Sequence, residues 1–394
     1  MSRESEYLLH LLGAFLRQEA PEVCPDADWG ELQRLAHVHN VLGILGYMAT
    51  AWPICPDQQR KAALRTVCRS TLSAYAERGA LAQRLSADLS ESGIDHIVMK
   101  GYVLRKFYPI PELRTFGDVD LVIRPEDRQR CHERMLALGF QVKNDWEPVF
   151  SYRRGPEFYE LHTEIMEVDV SDRADYRGYF RSLWEHTIAA EGCCLEFAPE
   201  YHFLYMLTHI AKHVVGSGAG VRMYLDIAVF LQHYDASLDW ESVLRELKVL
   251  ELEGFAATVL AFVERQWGIS CALDLGAVSE ETKNAFAEFT MAGGIFGKEA
   301  RDSGTNSLAE KSREKGTVSR TATMVKRLFP SAESIRGRYT YLQEKPWLLP
   351  AAWIHRLIKT REGWQQHARE ARDILAANKE EVKALNRFYR DIGL

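Results

Sequence analysis

The sequence predicts an α+β protein: a small mixed β-sheet with packed helices, flanked in sequence by N- and C-terminal helical regions. Three observations carry that prediction. Apolar residues recur at helical spacing over residues 5–90 and again over 200–267. Between 93 and 165, short apolar runs alternate with helical ones. Glycines and prolines mark the places where one pattern gives way to the other. At 394 residues with 46% hydrophobic and 26% charged side chains, the chain has the composition of an ordinary globular protein. By length it is expected to form about two or three domains of about 150 residues each.

The bulk charge narrows the partners. A formal net charge of −6 disfavours a general binder of long nucleic acid, which presents a basic excess. The seven cysteines show neither a CxxC pair nor the spacing of a disulfide framework, so reduced thiols and a cytoplasmic location are expected. The opening MSRESEYLLHLLGAFL has neither the basic front nor the long apolar run of a signal peptide. No stretch reaches the roughly 20 apolar residues that span a bilayer.

The N-terminal helical region is assigned to 1–92. Leu8, Leu9, Leu11, Leu12, Phe15 and Leu16 form a helical stripe, Pro21 and Pro25 interrupt it, and 29–39, 41–47 and 62–89 resume it. Gly93 is expected to stop the last of these helices. His37 and His39 are two apart and face different sides of a helix, so they are not read as a ligand pair.

Residues 93–198 are assigned to the sheet domain. Expected elements are a strand at 96–99, a helix at 102–108, a strand at 119–123, a helix at 126–138 ended by Gly139, and strands at 140–142, 149–152 and 158–165. Residues i and i+2 of a strand share a face. Asp118 and Asp120 therefore stand together, opposite Val119, Leu121 and Ile123. Two carboxylates so placed can hold Mg²⁺; the competing reading is a solvated acidic turn. Lys100 and Gly101 close the preceding strand at the start of a helix, where free N–H groups and the absence of a Cβ favour an anion. In EFYELHTEI, Glu160, His162 and Glu164 fall on one face, and Glu160 is the preferred third carboxylate, with Glu164 and Asp169 as alternatives.

From 199 the chain returns to helix, at 200–215, 221–233, 240–250 and 255–267, in a helical domain assigned to 199–297. The GSGAG of 216–220 lacks the GxxxxGK[ST] spacing of a phosphate loop and reads as a helix connector. His209 and His213 stand four apart on one helix face, and Arg222 and Asp226 do so on the next, which suggests a polar cluster facing substrate. HxxxH can bind zinc, but Ile210 follows His209 where HExxH needs its glutamate. Residues 298–324 read as a flexible basic loop, and 325–394 as a C-terminal helical region carrying Trp347, Leu348, Leu349 and Trp353.

The ordered set Lys100, Gly101, Leu104, Tyr108, Arg114, Gly117, Asp118, Asp120, Leu121, Leu138, Gly139, Phe140, Glu160, Leu161 and His162, followed by His209, His213, Arg222 and Asp226, resembles an uncharacterised bacterial nucleotidyltransferase family, NTP_transf_5, within the DNA polymerase β-like superfamily. The resemblance spans about residues 35–270. It implies transfer of a nucleoside monophosphate from an NTP, with pyrophosphate released. Asp118, Asp120 and Glu160 would be the catalytic, metal-binding triad for two Mg²⁺, with Mn²⁺ as a substitute. Lys100, Gly101 and Arg114 would bind nucleotide phosphate, while His162, His209, His213, Arg222 and Asp226 would face substrate. The acceptor would be a small molecule, a sugar, or a peptide or protein. The alternatives are a non-catalytic nucleotide- or partner-binding module and γ-phosphoryl transfer. One departure stands out: where the superfamily has Gly-Ser or Gly-Gly, this chain has Gly101-Tyr102, so a hydroxyl contact to phosphate is missing and Lys100 would have to supply it.

Overall fold

The structure, a computed structural model, describes residues 1–167, 169–216, 218–293, 329–335, 339, 341–359 and 379–394. The basic loop expected at 298–324 lies outside them. Four helices open the chain: α1 (Arg3–Arg17), α2 (Trp29–Val38), α3 (Leu42–Ala51) and α4 (Gln58–Glu91). Three of them start where a short polar side chain caps the free N–H groups: Ser2 accepts from Ser5 N, Asp28 from Gly30 N and Glu31 N, and Asp57 from Arg60 N. α4 ends just before Gly93, whose φ of +64° turns the chain into the sheet.

The strands of the sheet follow, with β1 (His96–Met99), α5 (Gly101–Leu104), β2 (Val119–Ile123), α6 (Arg128–Ala137), β3 (Gln141–Trp146), β4 (Val149–Arg154), β5 (Glu157–His162), α7 (Tyr176–Tyr179), β6 (Thr187–Glu191) and β7 (Cys194–Phe197). The seven strands lie in the order β3-β4-β5-β2-β1-β7-β6. The β2–β5 and β1–β7 pairs are parallel, and all other neighbours are antiparallel. β6 and β7 form an edge hairpin that the apolar pattern does not reveal, because most β6 side chains are exposed. The turn at Gly192 between two short runs was its only signal in the sequence.

The pleat divides the strand residues between two cores. Val98, Leu121, Ile123, Phe150, Tyr152, Tyr159 and Leu161 pack with Leu85 and Leu89 of α4 and Cys131 and Met135 of α6. Ile97, Met99 and Val122, on the opposite face, join the larger core shared with the helical region. That region comprises α8 (Pro199–Gly216), α9 (Val221–Tyr234), α10 (Trp240–Val249), α11 (Glu253–Trp267) and α12 (Glu280–Gly293), with 218–220 leading into α9. The terminal helix Lys379–Asp391 closes on it. Tyr389 is fully buried and its hydroxyl donates to Val214 O at 3.3 Å, while Thr258 Oγ1 donates to Ile392 O at 3.2 Å. No helix among the described residues is long and apolar enough to cross a membrane.

Candidate active site

The acidic residues meet because β2 and β5 run parallel and in register. Asp120 pairs with Glu160 and Val122 with His162, so the two carboxylates occupy adjacent positions on the face turned toward the helical region. Asp118, in the bend just before β2, lines a cavity together with Asp120. Asp120 is buried, Glu160 and Asp118 partly so.

Asp120 is the best-held carboxylate of the three. Its Oδ1 accepts from Lys100 Nζ at 2.6 Å and from His162 Nε2 at 2.8 Å. Burial would raise its pKa, but the Lys100 ammonium and the His162 bond outweigh burial and hold it at about 2. Glu160 lies in the opposite situation. Burial, reinforced by the charges of Asp118 and Asp120, pushes its carboxyl up to about 7. Asp118 is raised as well, by burial and then by Asp120.

One ligand atom from each of Asp120, Glu160 and His162 lies within 4.8 Å of the others. This set has His162 where the sequence points to Asp118. His162 Nε2 is 3.8 Å from Glu160 Oε2, so the imidazole reaches both acids. Glu164, the alternative third carboxylate, faces Arg177 at 3.6 Å and is no part of the cluster, and Asp169 accepts from Arg177 N.

Lys100 and Gly101 sit at the end of β1, as expected, but their surroundings differ from the expectation. Lys100 has φ +57° and ψ −139°, a backbone state that costs a non-glycine residue about 1–3 kcal/mol. In this state its ammonium reaches Asp120. α5 is a single turn, so little helix dipole is available for an anion. Gly101 is required for packing: a Cβ there would run into the Arg114 guanidinium. Tyr102 points away from the site. Its hydroxyl donates to Gly79 O at 3.3 Å and its ring stands edge-on to Phe116, so the residue that departs from the superfamily pattern leaves the cleft clear.

Arg114, expected at the nucleotide phosphate, is 5% exposed and fully engaged. Its Nε and Nη2 donate to Asp226 Oδ1 and Oδ2 at 2.8 and 2.6 Å, its Nη1 donates to Thr115 O, and Tyr108 OH donates to Asp226 Oδ1 at 2.7 Å. The pair ties the chain before β2 to α9.

A cavity of about 490 Å³ opens between the sheet and α8–α9. Lys100, Gly101, Asp118 and Asp120 line one wall, and His209, His213, Arg222 and Asp226 line the other. The polar cluster read from the sequence is thus assembled. The His209 and His213 rings are 4.6 Å apart. Burial holds His209 well below the usual imidazole range and His213 at about 4, so both are neutral at pH 7. His202 and Tyr205 also line the cavity and were missed. Both lie on the His209 face of α8, seven and four residues before it, a spacing that would have found them.

A mixed sheet carrying paired acids on adjacent parallel strands, roofed by helices over a polar cleft, is the architecture of a nucleotidyltransferase-type α+β protein. The chain belongs to the family described as uncharacterised nucleotidyltransferase (NTP_transf_5), whose model matches residues 25–268. No curated protein and no solved structure matches the chain.

Proposed function

We propose that the protein transfers a nucleoside monophosphate from an NTP to a hydroxyl or phosphate of a small-molecule, sugar, peptide or protein acceptor, releasing pyrophosphate. The observation that carries this reading is the in-register pairing of Asp120 with Glu160, with Asp118 beside Asp120 in the lining of the cleft. The donor set fits a divalent ion: Asp120, Glu160 and His162 each bring a ligand atom within 4.8 Å of the others, and Glu160 is driven to about 7 by burial and by the charges of Asp118 and Asp120. Asp118, Asp120 and Glu160 would hold Mg²⁺ or Mn²⁺, and His162 would orient Asp120. When bound, such an ion stabilises charge at the reacting phosphoryl group and makes an acceptor hydroxyl more acidic. Lys100 keeps Asp120 ionised and brings positive charge to the phosphate side of the cleft, while α8 and α9 limit water.

One observation favours a different reading, that of a nucleotide-binding module without turnover. The Lys100 ammonium, 2.6 Å from Asp120 Oδ1, already occupies a prospective ligand oxygen. Incubation with each α-labelled NTP and Mg²⁺ separates the two. Pyrophosphate release lost in Asp118→Asn and Asp120→Asn supports transfer, and a nucleoside diphosphate product would indicate γ-phosphoryl transfer instead. Nucleotide binding without either product, indifferent to those substitutions, would leave the binding module.

A further inference from the structure

Asp226 is one carboxylate set among two guanidiniums. Arg114 takes both of its oxygens, and Tyr108 adds a hydroxyl to the first. Arg222, on the same turn of α9, forms no ion pair among the described residues. Its Nη1 donates to the carbonyl of Thr115 at 2.6 Å and to its hydroxyl at 3.2 Å, and its Nε is buried with no hydrogen-bond partner. Neutral acceptors on one edge only partly compensate this half-buried guanidinium, whose Nε is out of reach of solvent. Burial, and then the charge of Arg114, lower the Arg222 pKa to about 10, so it still carries its charge at neutral pH.

Two further buried groups in the same cavity lack partners, His202 Nε2 and Tyr205 OH. Burial holds His202 at about 4, so it is a neutral ring that can present an N–H, and the tyrosine presents an O–H. One unpaired cation and two neutral donors complement an anion with several acceptor oxygens. The place is also informative. Thr115 O accepts from the Nη1 of both arginines, so Arg222 lies next to the Arg114 guanidinium that covers Gly101, and all three line the same cavity as Lys100.

We infer that Arg222, with His202 and Tyr205 in the same cavity, forms a phosphate-binding subsite of the cleft. Arg114, which the motif suggested for phosphate, is the strut that holds this subsite in place. The carrier of the phosphate is either the tail of the NTP or a phosphorylated acceptor. Only that last point rests on the transfer reading proposed above.

The test is calorimetric titration of the full chain, without metal, using tripolyphosphate and inorganic phosphate as probes. The wild type should bind both. Arg222→Gln should weaken binding about ten- to a hundredfold, the worth of a charge-assisted hydrogen bond to a half-buried cation, and Arg222→Lys should retain part of the affinity. Unfolding midpoints of both variants identify any that fails to fold, and the lysine variant then carries the test. Inorganic phosphate displaced by ATP assigns the site to the NTP tail; inorganic phosphate still bound at saturating ATP assigns it to the acceptor. No binding to the wild type, or equal binding by Arg222→Gln, overturns the subsite. Arg222-dependent phosphate binding without turnover of any NTP would leave the subsite standing and remove the transfer reading. Metal-dependent turnover with Arg222-independent binding would do the reverse.

Discussion

Asp120 and Glu160 occupy paired positions on the parallel strands β2 and β5, yet their protons behave in opposite ways. The Lys100 and His162 contacts overcome burial and hold Asp120 at about 2, whereas burial and its acidic neighbours lift Glu160 to about 7. One member of the pair is permanently ionised, and the other changes state near neutrality.

That asymmetry predicts a pH dependence. The Glu160 carboxyl titrates at about 7 in the fold and near 4.5 when free, so the folded state keeps a proton that the unfolded chain has already lost between those values. Its contribution is fully present below 4.5 and is lost as pH rises through about 7. A metal needs the ionised form, so metal affinity should rise over the upper part of that range. The unfolding midpoint measured with and without Mg²⁺ should separate more at pH about 8 than at pH about 6. Glu160→Gln should flatten the difference, and an equal Mg²⁺ effect at both pH values in the wild type would refute the assignment.

Gly101 sits against the Arg114 guanidinium with no room for a Cβ. Because Arg114 is fixed by both oxygens of Asp226, it cannot swing aside as a surface arginine would. Gly101→Ala should therefore cost about 1–3 kcal/mol, the usual cost of overpacking. It should also reduce nucleotide affinity by displacing the end of β1. Urea denaturation gives the first quantity, and an unchanged midpoint would mean that the guanidinium yields.

Much of the site was legible because a strand's period of two is strict. The separation of Asp120 from Val119 and Leu121, and of Glu160 and His162 from Tyr159 and Leu161, follows from that period, and β2 spans Val119–Ile123 as expected. Which helix faces which strand was not legible, since that depends on packing between residues a hundred positions apart. Arg114 therefore looked like a phosphate ligand, although Asp226, 112 residues later, claims it. The β6–β7 hairpin was missed for a local reason: at the sheet edge β6 is largely solvated and shows no alternation.

The Arg114–Asp226 contact yields an asymmetric prediction. Both partners are buried, at 5% exposure each, and removing one partner of such a pair usually costs about 3–5 kcal/mol because the other is left charged in the interior. The two removals are not equivalent here. Arg114→Met leaves Asp226 beside Arg222, which can turn toward it and restore one ion pair. Asp226→Asn takes the ion-pair partner from Arg114 and the nearby negative charge from Arg222, and Tyr108 OH loses its charged acceptor as well. Asp226→Asn should thus destabilise the fold more than Arg114→Met. The double variant should fall short of the sum of the two, since the buried charge that makes each single removal costly is then largely gone. Chemical denaturation of the three variants measures all of this. Additive losses, or a milder effect at Asp226 than at Arg114, would mean that Arg222 is not part of this network.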